Sequence, residues 1–297
     1  MFGLLNINKP VGPTSHDIVA GVRKLVGRRK HKVGHAGTLD PFADGVLIVC
    51  VGQATRLADY IQQQTKQYRA GVTLGASSDT HDIQGEITLN PGAAAVSEAD
   101  LREAIKAFVG RIDQIPPAHS AIHVNGRRAY DLARAGRDVD LPAREVNICD
   151  ITLVDFAWPE FTIDITCGAG TYIRSLARDI GRKLGVGAYC GSLTRTAIGK
   201  FSIDSAVAPA DVDPAADLID PIEALDSMTR VAVEPEEANR LAMGKTAAPV
   251  RAPDAPTPEI AVTDQTGGLL ALAKLTGLGD RQFLQPTKVF VKPQPRR

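Results

Sequence analysis

The run Val46–Val51 constrains the fold of this chain more than any other segment. Its six residues are all apolar and four of them are β-branched. A short run of this kind, without polar alternation, predicts a buried strand. It is far below the roughly 18 apolar residues that a membrane helix needs. We therefore expect a strand inside a sheet and no membrane partner.

Further strands and helices are predicted on both sides of this run. The same apolar or β-branched character predicts strands over Phe2–Asn8, Tyr68–Leu74, Val146–Phe156 and Phe161–Cys167. Helices are predicted from a cap at Ser15 to Gly27, after a cap at Ser97, and from about Thr171 to a stop at Gly185. The first two helices are amphipathic and should pack on the sheet, so the expected fold class is α+β, a mixed α/β fold.

The composition is that of a folded globular protein. Hydrophobic residues make up 44% of the 297 residues and charged residues 23%, which excludes a disordered chain or a collagen-like repeat. Met1–Val11 lacks the basic and then apolar pattern of a signal peptide, so a cytoplasmic location is expected. The four cysteines form no CxxC pair, so neither a zinc knuckle nor a disulfide framework is indicated.

Charge is balanced over the whole chain but uneven along it. Lys and Arg number 34, as do Asp and Glu, so net charge neither requires nor excludes a polyanionic partner. Residues 1–70 hold ten basic and four acidic residues, which marks a candidate phosphate-binding face. Residues 204–237 hold ten acidic residues against Arg230 alone.

A domain boundary is predicted near residue 228. Beyond it, short β-rich runs are separated by Pro and Gly, a spacing typical of a small β-barrel. Upstream, residues 114–145 contain Pro116-Pro117 and five arginines, and this stretch is interpreted as a basic insertion.

Three common motifs are incomplete in this sequence. Met243–Thr246 ends like a phosphate-binding loop, but Asn239 stands where that loop needs a glycine. Gly185–Gly191 is one residue away from the dinucleotide fingerprint and follows a predicted helix instead of a strand. Neither HExxH nor the His-x-Glu of zinc deaminases occurs in the sequence. We therefore expect no metal and no cofactor.

The segment Gly34–Gly45 is the strongest candidate for a functional site. It is a polar loop with several glycines, it runs into Val46–Val51, and it contains Asp40. A carboxylate on a rigid loop at the edge of a sheet is well placed for chemistry. From local sequence alone, the alternative is that Asp40-Pro41 only starts a turn. A second acidic segment, Asp79–Asp82, is predicted to be a polar hairpin turn.

Four motifs in one order resemble a known family. They are Lys9–Ser15, Gly34–Gly45, Lys66–Arg69 and Gly170–Arg174. Together they resemble the motifs of pseudouridine synthases of the bacterial TruB type, which isomerise the T-loop uridine of tRNA, at position 55. The insertion at 114–145 resembles the thumb loop of that family.

The resemblance implies three catalytic residues. Asp40 is implied to be the catalytic aspartate, and attack on the sugar, attack on the base and removal of a sugar proton all stay open as its role. Arg174 is implied to pair with Asp40, where it would hold the carboxylate at two points and lower its pKa. Tyr68 is implied to lie against the flipped base, with its hydroxyl near the carbon that loses a proton. Taken alone, Arg174 would be a surface arginine and Tyr68 a packing residue.

The resemblance also implies residues that bind the RNA. Tyr172 and Leu193 match positions that line the uridine pocket, and His35 matches a histidine that braces the RNA loop. Phosphate contacts are expected from basic residues near the motifs and in the insertion: Lys9, Arg28, Arg29, Lys30, Arg127, Arg128 and Arg144. Asp44 stands where a small hydroxylated residue is common in the family, and an acid so near Asp40 is expected to repel either Asp40 or the RNA phosphates.

As a whole, the resemblance implies a catalytic domain over residues 1–228, with a mostly antiparallel central sheet, and a PUA-like RNA-binding domain over residues 229–297. It implies a monomeric isomerase that acts on the T-arm of tRNA by base flipping. Two other functions stay open. One is a non-catalytic tRNA-binding or folding factor on the same scaffold. The other is a hydrolase that acts on a free nucleoside or sugar through Asp40, and it would need neither the basic insertion nor the second domain.

Overall fold

The computed structural model describes residues 1–27, 30–120, 123–124, 127–128, 141–251, 258–278 and 281–292. The strands are β1 (Gly3–Lys9), β2 (Val33–His35), β3 (Asp44–Val51), β4 (Lys66–Leu74), β5 (Ala76–Ser78), β6 (Ile87–Leu89), β7 (Gly110–Gln114), β8 (His123–Val124), β9 (Arg127–Arg128), β10 (Arg144–Ala157), β11 (Glu160–Cys167), β12 (Ala188–Ile198), β13 (Phe201–Ser202), β14 (Arg230–Ala232), β15 (Ile260–Thr263), β16 (Leu269–Leu278) and β17 (Arg281–Val289). The α-helices within those residues are α1 (Ser15–Leu25), α2 (Ala58–Gln63), α3 (Glu98–Lys106), α4 (Ile173–Lys183) and α5 (Pro235–Ala242).

Nine strands form the larger sheet. Its main order is β1-β3-β12-β4-β11-β10-β7, with β2 added beside β3 and β13 beside β12. The pairing of β3 with β12 is parallel, and the other pairings are antiparallel. The predicted mixed fold with a mostly antiparallel central sheet is therefore confirmed.

Both faces of β3 are covered, which explains its uninterrupted apolar sequence. Leu47, Val49 and Val51 pack against α1, and the alternate residues Val46, Ile48 and Cys50 pack in a second cluster on the opposite face. All six side chains are fully buried. Because neighbouring residues of a strand point to opposite faces, a strand covered on both sides needs apolar residues at every position.

The acid-rich segment after β13 protects an edge of the larger sheet. The backbone of Ile219 exchanges two hydrogen bonds with that of Leu4 on β1, and the backbone of Val207 bonds those of Asn6 and Asn8. An uncovered edge strand would offer unpaired backbone groups to other chains. This segment therefore belongs structurally to the larger sheet.

The caps of the helices differ in one place from those predicted. Ser97 caps α3 as expected, because its side chain accepts from the Asp100 N–H. The cap of α1 is Thr14 and not Ser15, because Thr14 and Asp17 form a reciprocal capping box. Ser15 is instead buried and bonds the loop that carries Asp40, with its hydroxyl on both the N–H and the carbonyl of Leu39.

The central strand β12 was not among the predicted strands. It lies between β3 and β4, and register shifts occur between Cys190 and Ser192 and between Arg195 and Ala197. Those irregularities break the two-residue alternation from which strands are predicted. Its neighbour Gly45, with φ +99°, has no room for a side chain, because a Cβ there would lie 2.3 Å from the Arg195 carbonyl oxygen.

A second sheet begins at Arg230 and has the order β14-β15-β16-β17. Its core and α5 share one apolar cluster. A separate cluster joins it to the larger part of the chain, with Leu57, Ile222 and Leu225 on one side and Leu272 and Phe290 on the other. In the described part of the chain, no helix is long and apolar enough to cross a membrane.

Candidate active site

Asp40 and Arg174 meet where the β2–β3 loop approaches the first turn of α4. Arg174 Nε lies 2.9 Å from Asp40 Oδ2, and Arg174 Nη2 donates to Asp40 Oδ1 at 3.4 Å. The Arg174 side chain is 5% exposed and that of Asp40 is 35% exposed. A buried cation therefore holds a carboxylate that still faces solvent. This is the two-point contact that the sequence analysis expected, and it leaves the carboxylate open to a substrate.

Arg174 has a second carboxylate partner, Asp82. Its Nη1 donates to Asp82 Oδ2 at 3.1 Å and to the Thr80 carbonyl at 3.0 Å, and its Nη2 also donates to the His119 carbonyl at 3.0 Å. Asp82 is 3% exposed. Because every guanidinium nitrogen has a partner, the plane of the guanidinium and the edge that it presents to Asp40 are fixed.

The charge state of Asp40 depends on burial more than on its arginine. Burial raises the pKa of the Asp40 carboxyl, the Arg174 guanidinium lowers it, and the Asp82 carboxylate raises it again. The lowering expected from Arg174 is present, but burial is the larger cause, so the net pKa of Asp40 is raised. Asp40 thus takes up a proton at a higher pH than a free aspartate.

Tyr68 and Arg195 lie side by side on adjacent strands of the larger sheet. They are register partners on β4 and β12, so their side chains lie on the same face. Burial, the largest cause, raises the pKa of the Tyr68 hydroxyl, and the charge of the nearby Arg195 guanidinium lowers it. Asp40 is close enough to raise the same pKa. Tyr68 and Asp40 therefore belong to one site.

Leu193 supplies an apolar wall beside Tyr68. It is 7% exposed and packs in the cluster that includes Leu39, the residue before Asp40, and Tyr68 at its margin. It stands two residues before Arg195 on β12, so both side chains lie on one face of the sheet.

Tyr172 lies at the start of α4, directly before its first residue. The side-chain amide of Gln114 accepts from the Tyr172 N–H at 2.8 Å and donates to the Tyr172 carbonyl at 3.1 Å. Burial raises the pKa of the Tyr172 hydroxyl, and both Arg174 and Asp40 act on it. The Gln114 amide thus holds Tyr172 close to the Asp40–Arg174 pair.

His35 lies at the end of β2, on the same loop as Asp40. Its ring meets the ring of His16 edge to face, with centroids 5.6 Å apart. Burial lowers the pKa of His35, and His16 and Arg195 add to this effect, so its imidazole is neutral at pH 7. A neutral, half-buried ring can stack on a base, and its role as a brace for RNA stays a prediction.

Comparison with known proteins identifies the family to which this site belongs. Residues 23–173 match the family model described as TruB family pseudouridylate synthase (N terminal domain). The chain belongs to the TruB family. It is 46% identical to tRNA pseudouridine synthase B of Leifsonia xyli, with 82% of each chain covered, and 40% identical to that of Synechocystis, with 98% and 100% covered. It also resembles a chain in the crystal structure of a Cbf5-Nop10-Gar1 complex, with a TM-score of 0.76, 25% identity, and 99% and 88% of the chains covered.

Membership of the TruB family confirms the resemblance carried by the four motifs. It does not test the individual phosphate contacts. Some of the residues expected to make them are exposed in the structure, and others lie outside the described residues. Lys30 and Arg144 are exposed, and Arg144 is the register partner of Gln114 beside the pocket. Arg28 and Arg29 lie outside the described residues, as do the side chains of Arg127 and Arg128.

Lys9 requires a correction. It was expected to contact a phosphate, but it is fully buried, and its ammonium donates to the carbonyls of Pro10 and Pro13. An ammonium with this burial and these partners is not presented to RNA. Asp44 lies close enough to raise the pKa of Lys9, and its effect on Asp40 stays a prediction.

Two buried charged residues of this site were not found from the sequence. Asp82 lies in the β5–β6 hairpin loop, so the predicted polar turn is correct for the connection but misses the buried ion pair to Arg174. Arg195 lies on the strand that was not predicted. For Asp82, the signal available in the sequence was the acidic pair Asp79 and Asp82. Nothing near Asp82 in the sequence indicates that its partner is Arg174, 92 positions away.

Proposed function

We propose that the protein is a tRNA pseudouridine synthase that converts the T-loop uridine, at position 55, to pseudouridine. The observation that carries the proposal is the solvent-facing Asp40 carboxylate held at two points by buried Arg174, with Tyr68 in the same site. The relatives named tRNA pseudouridine synthase B support tRNA as the substrate class.

The proposed reaction is an isomerisation that the site's own groups can carry. The N1–C1′ bond breaks, a C5–C1′ bond forms, C5 loses a proton and N1 gains one, so neither electrons nor water are consumed overall. Asp40 acts in its ionised form, oriented by Arg174. The Tyr68 hydroxyl lies against the base near C5, and Leu193 and Tyr172 enclose the flipped ring.

Recognition of tRNA is proposed to rest on residues outside this site. Exposed Lys30 and Arg144 contact phosphates and offset the few kcal/mol that base flipping costs. Residues 1–228 act as the catalytic domain, and residues 229–297 as a PUA-like RNA-binding domain. Because Asp40, Tyr68 and Arg174 all come from one chain, a monomer is sufficient for activity.

The test uses an unmodified tRNA transcript that carries tritium at C5 of uridine. Wild-type protein should release about one label per tRNA, and the new pseudouridine should map to the T-loop. Asp40→Asn should release none. Asp164→Asn is the matched control, because Asp164 is an exposed aspartate paired with Arg69 on the neighbouring strands; it should release label as wild type does.

Two outcomes would contradict the proposal. Tight binding of tRNA with no release of label by wild type would favour a non-catalytic binding or folding factor. Release of free uracil, from tRNA or from a nucleoside, would favour a hydrolase.

A further inference from the structure

The ring of His16 packs against the ring of His35. The two centroids lie 5.6 Å apart and the ring planes are inclined by 78°, which is an edge-to-face contact. His16 lies in the first turn of α1 and is exposed, whereas His35 lies at the end of β2 and is half-buried. The contact therefore joins α1 to the start of the loop that carries Asp40.

The backbone of that loop is held from two sides. From β12, Arg195 donates through Nη2 to the Gly37 carbonyl at 3.1 Å and through Nη1 to the Thr38 carbonyl at 3.3 Å. From α1, the Ser15 hydroxyl accepts from the Leu39 N–H at 2.9 Å and donates to the Leu39 carbonyl at 3.1 Å. The path of the chain through the loop is thus fixed by the fold.

The side chain of His35 is held less firmly than the backbone around it. Its Nδ1 is buried without a hydrogen-bond partner, and among the described residues no hydrogen bond fixes the ring. Within that part of the chain, its contact with another ring is the one with His16. A neutral imidazole without hydrogen bonds keeps its orientation only through packing. The contact with His16 therefore decides how the His35 ring is presented.

The position of His16 is itself fixed by its two neighbours in the sequence. Ser15 bonds the loop, and Asp17 forms the reciprocal capping box with Thr14. We propose that His16 is a positioning residue, which holds the His35 ring in the orientation in which it stacks on the T-loop of the tRNA. This inference rests on the proposed function and adds a residue that the proposed function does not include.

The test is a double-mutant cycle of His16→Asn and His35→Ala. Single-turnover rates of tritium release are measured for the wild type, for each single variant and for the double variant. The cycle separates an effect that passes through His35 from one that does not. His16→Phe keeps an aromatic ring at the position, and Leu25→Ala, at a side chain of α1 that is 54% exposed, is the matched control.

His16→Asn is expected to slow single turnover by about three- to tenfold, the effect of losing one aromatic pair. It should have no further effect when residue 35 is already alanine. His16→Phe should recover most of the rate, and Leu25→Ala should match wild type. If His16 only stabilises α1 or contacts RNA by itself, His16→Asn slows the His35→Ala protein by the same factor, and that result would overturn the inference. An unchanged rate for His16→Asn, or a loss that His16→Phe does not recover, would also contradict it.

The two proposals fail in different ways. A wild-type protein that releases no label would contradict the proposed function and this inference with it, whereas an active wild type with additive losses in the double variant contradicts the inference alone. If His35→Ala does not fold, as judged by circular dichroism, the motion of the His35 ring is measured instead, by NMR relaxation of protein labelled with carbon-13 at histidine Cε1. The order parameter of the His35 ring should fall in His16→Asn and keep the wild-type value in Leu25→Ala. An unchanged order parameter in His16→Asn would overturn the inference.

Discussion

The two sheets bury different kinds of side chain. Among the described residues, the larger part of the chain buries five charged residues, namely Lys9, Lys66, Asp82, Arg174 and Arg195. In the second sheet, the buried polar side chain within the described residues is Thr263, and the rest of the core is aliphatic or aromatic. Burial of a charge is costly unless partners compensate it. The comparison teaches that the larger sheet gives up stability to hold buried charges, whereas the core of the second sheet serves stability alone.

The largest effect is expected at Arg174. Arg174→Met removes the partner of both Asp40 and buried Asp82, and it should lower turnover by about 10²- to 10³-fold. Because Asp82 is left as an unpaired buried carboxylate, the free energy of unfolding should fall by about 3–5 kcal/mol. Tritium release and urea unfolding measure the two effects. Arg111→Met, at a side chain that is 77% exposed, should change neither, and wild-type turnover by Arg174→Met would contradict the assignment.

The second sheet should respond in the opposite way. Leu284 is fully buried in its core, and Leu284→Ala should lower the free energy of unfolding by about 2–5 kcal/mol. Turnover of the folded fraction with saturating tRNA should stay at the wild-type value, since no group of the active site is touched. Chemical unfolding and tritium release below the unfolding transition check this. Leu89→Ala, at a side chain that is 73% exposed, is the control, and a lower kcat for Leu284→Ala would break the contrast between the two sheets.

The sequence was most informative where structure is set by near neighbours. The buried strand β3 and the Ser97 cap follow from local patterns and are confirmed. Ser15 was wrongly predicted as a cap, because the residue three positions after it is Ile18, whereas Thr14 is followed at that spacing by Asp17 and forms the reciprocal bonds of a capping box. Local rules therefore locate this helix, and applied to Thr14 they also give its first residue.

The charge network could not be predicted in the same way. Asp82 and Arg174 are 92 residues apart, and Arg195 meets Tyr68 only because β12 lies beside β4. Such pairs are created by the order of strands in the sheet, which leaves no pattern in the sequence. Asp40, Tyr68 and Arg174 were found through the motifs, whereas Asp82 and Arg195, which hold them, required the fold.

A smaller effect, on pH dependence, is expected at Asp82. Its carboxylate raises the pKa of Asp40, and Asp40 must be ionised to act, so Asp82→Asn should move the acidic limb of the rate profile to lower pH. Turnover at neutral pH should fall about tenfold, because Arg174 loses a charged hydrogen bond. Asp79→Asn, at an exposed aspartate of the same loop, should leave the limb in place. A shift to higher pH for Asp82→Asn would show that Asp82 does not oppose ionisation of Asp40.

The smallest effect is expected at the surface of the second sheet. Lys274 and Lys292 are exposed there, and a residue that contacts a phosphate acts on binding without touching the chemistry. Lys274→Ala and Lys292→Ala should each weaken tRNA binding a few-fold and reduce the slope of log Kd against log salt concentration by about one. The kcat should be unchanged. A salt slope equal to that of wild type would mean that tRNA does not reach this face, and a reduced kcat would mean that the second sheet takes part in the chemistry that the contrast assigns to the larger sheet alone.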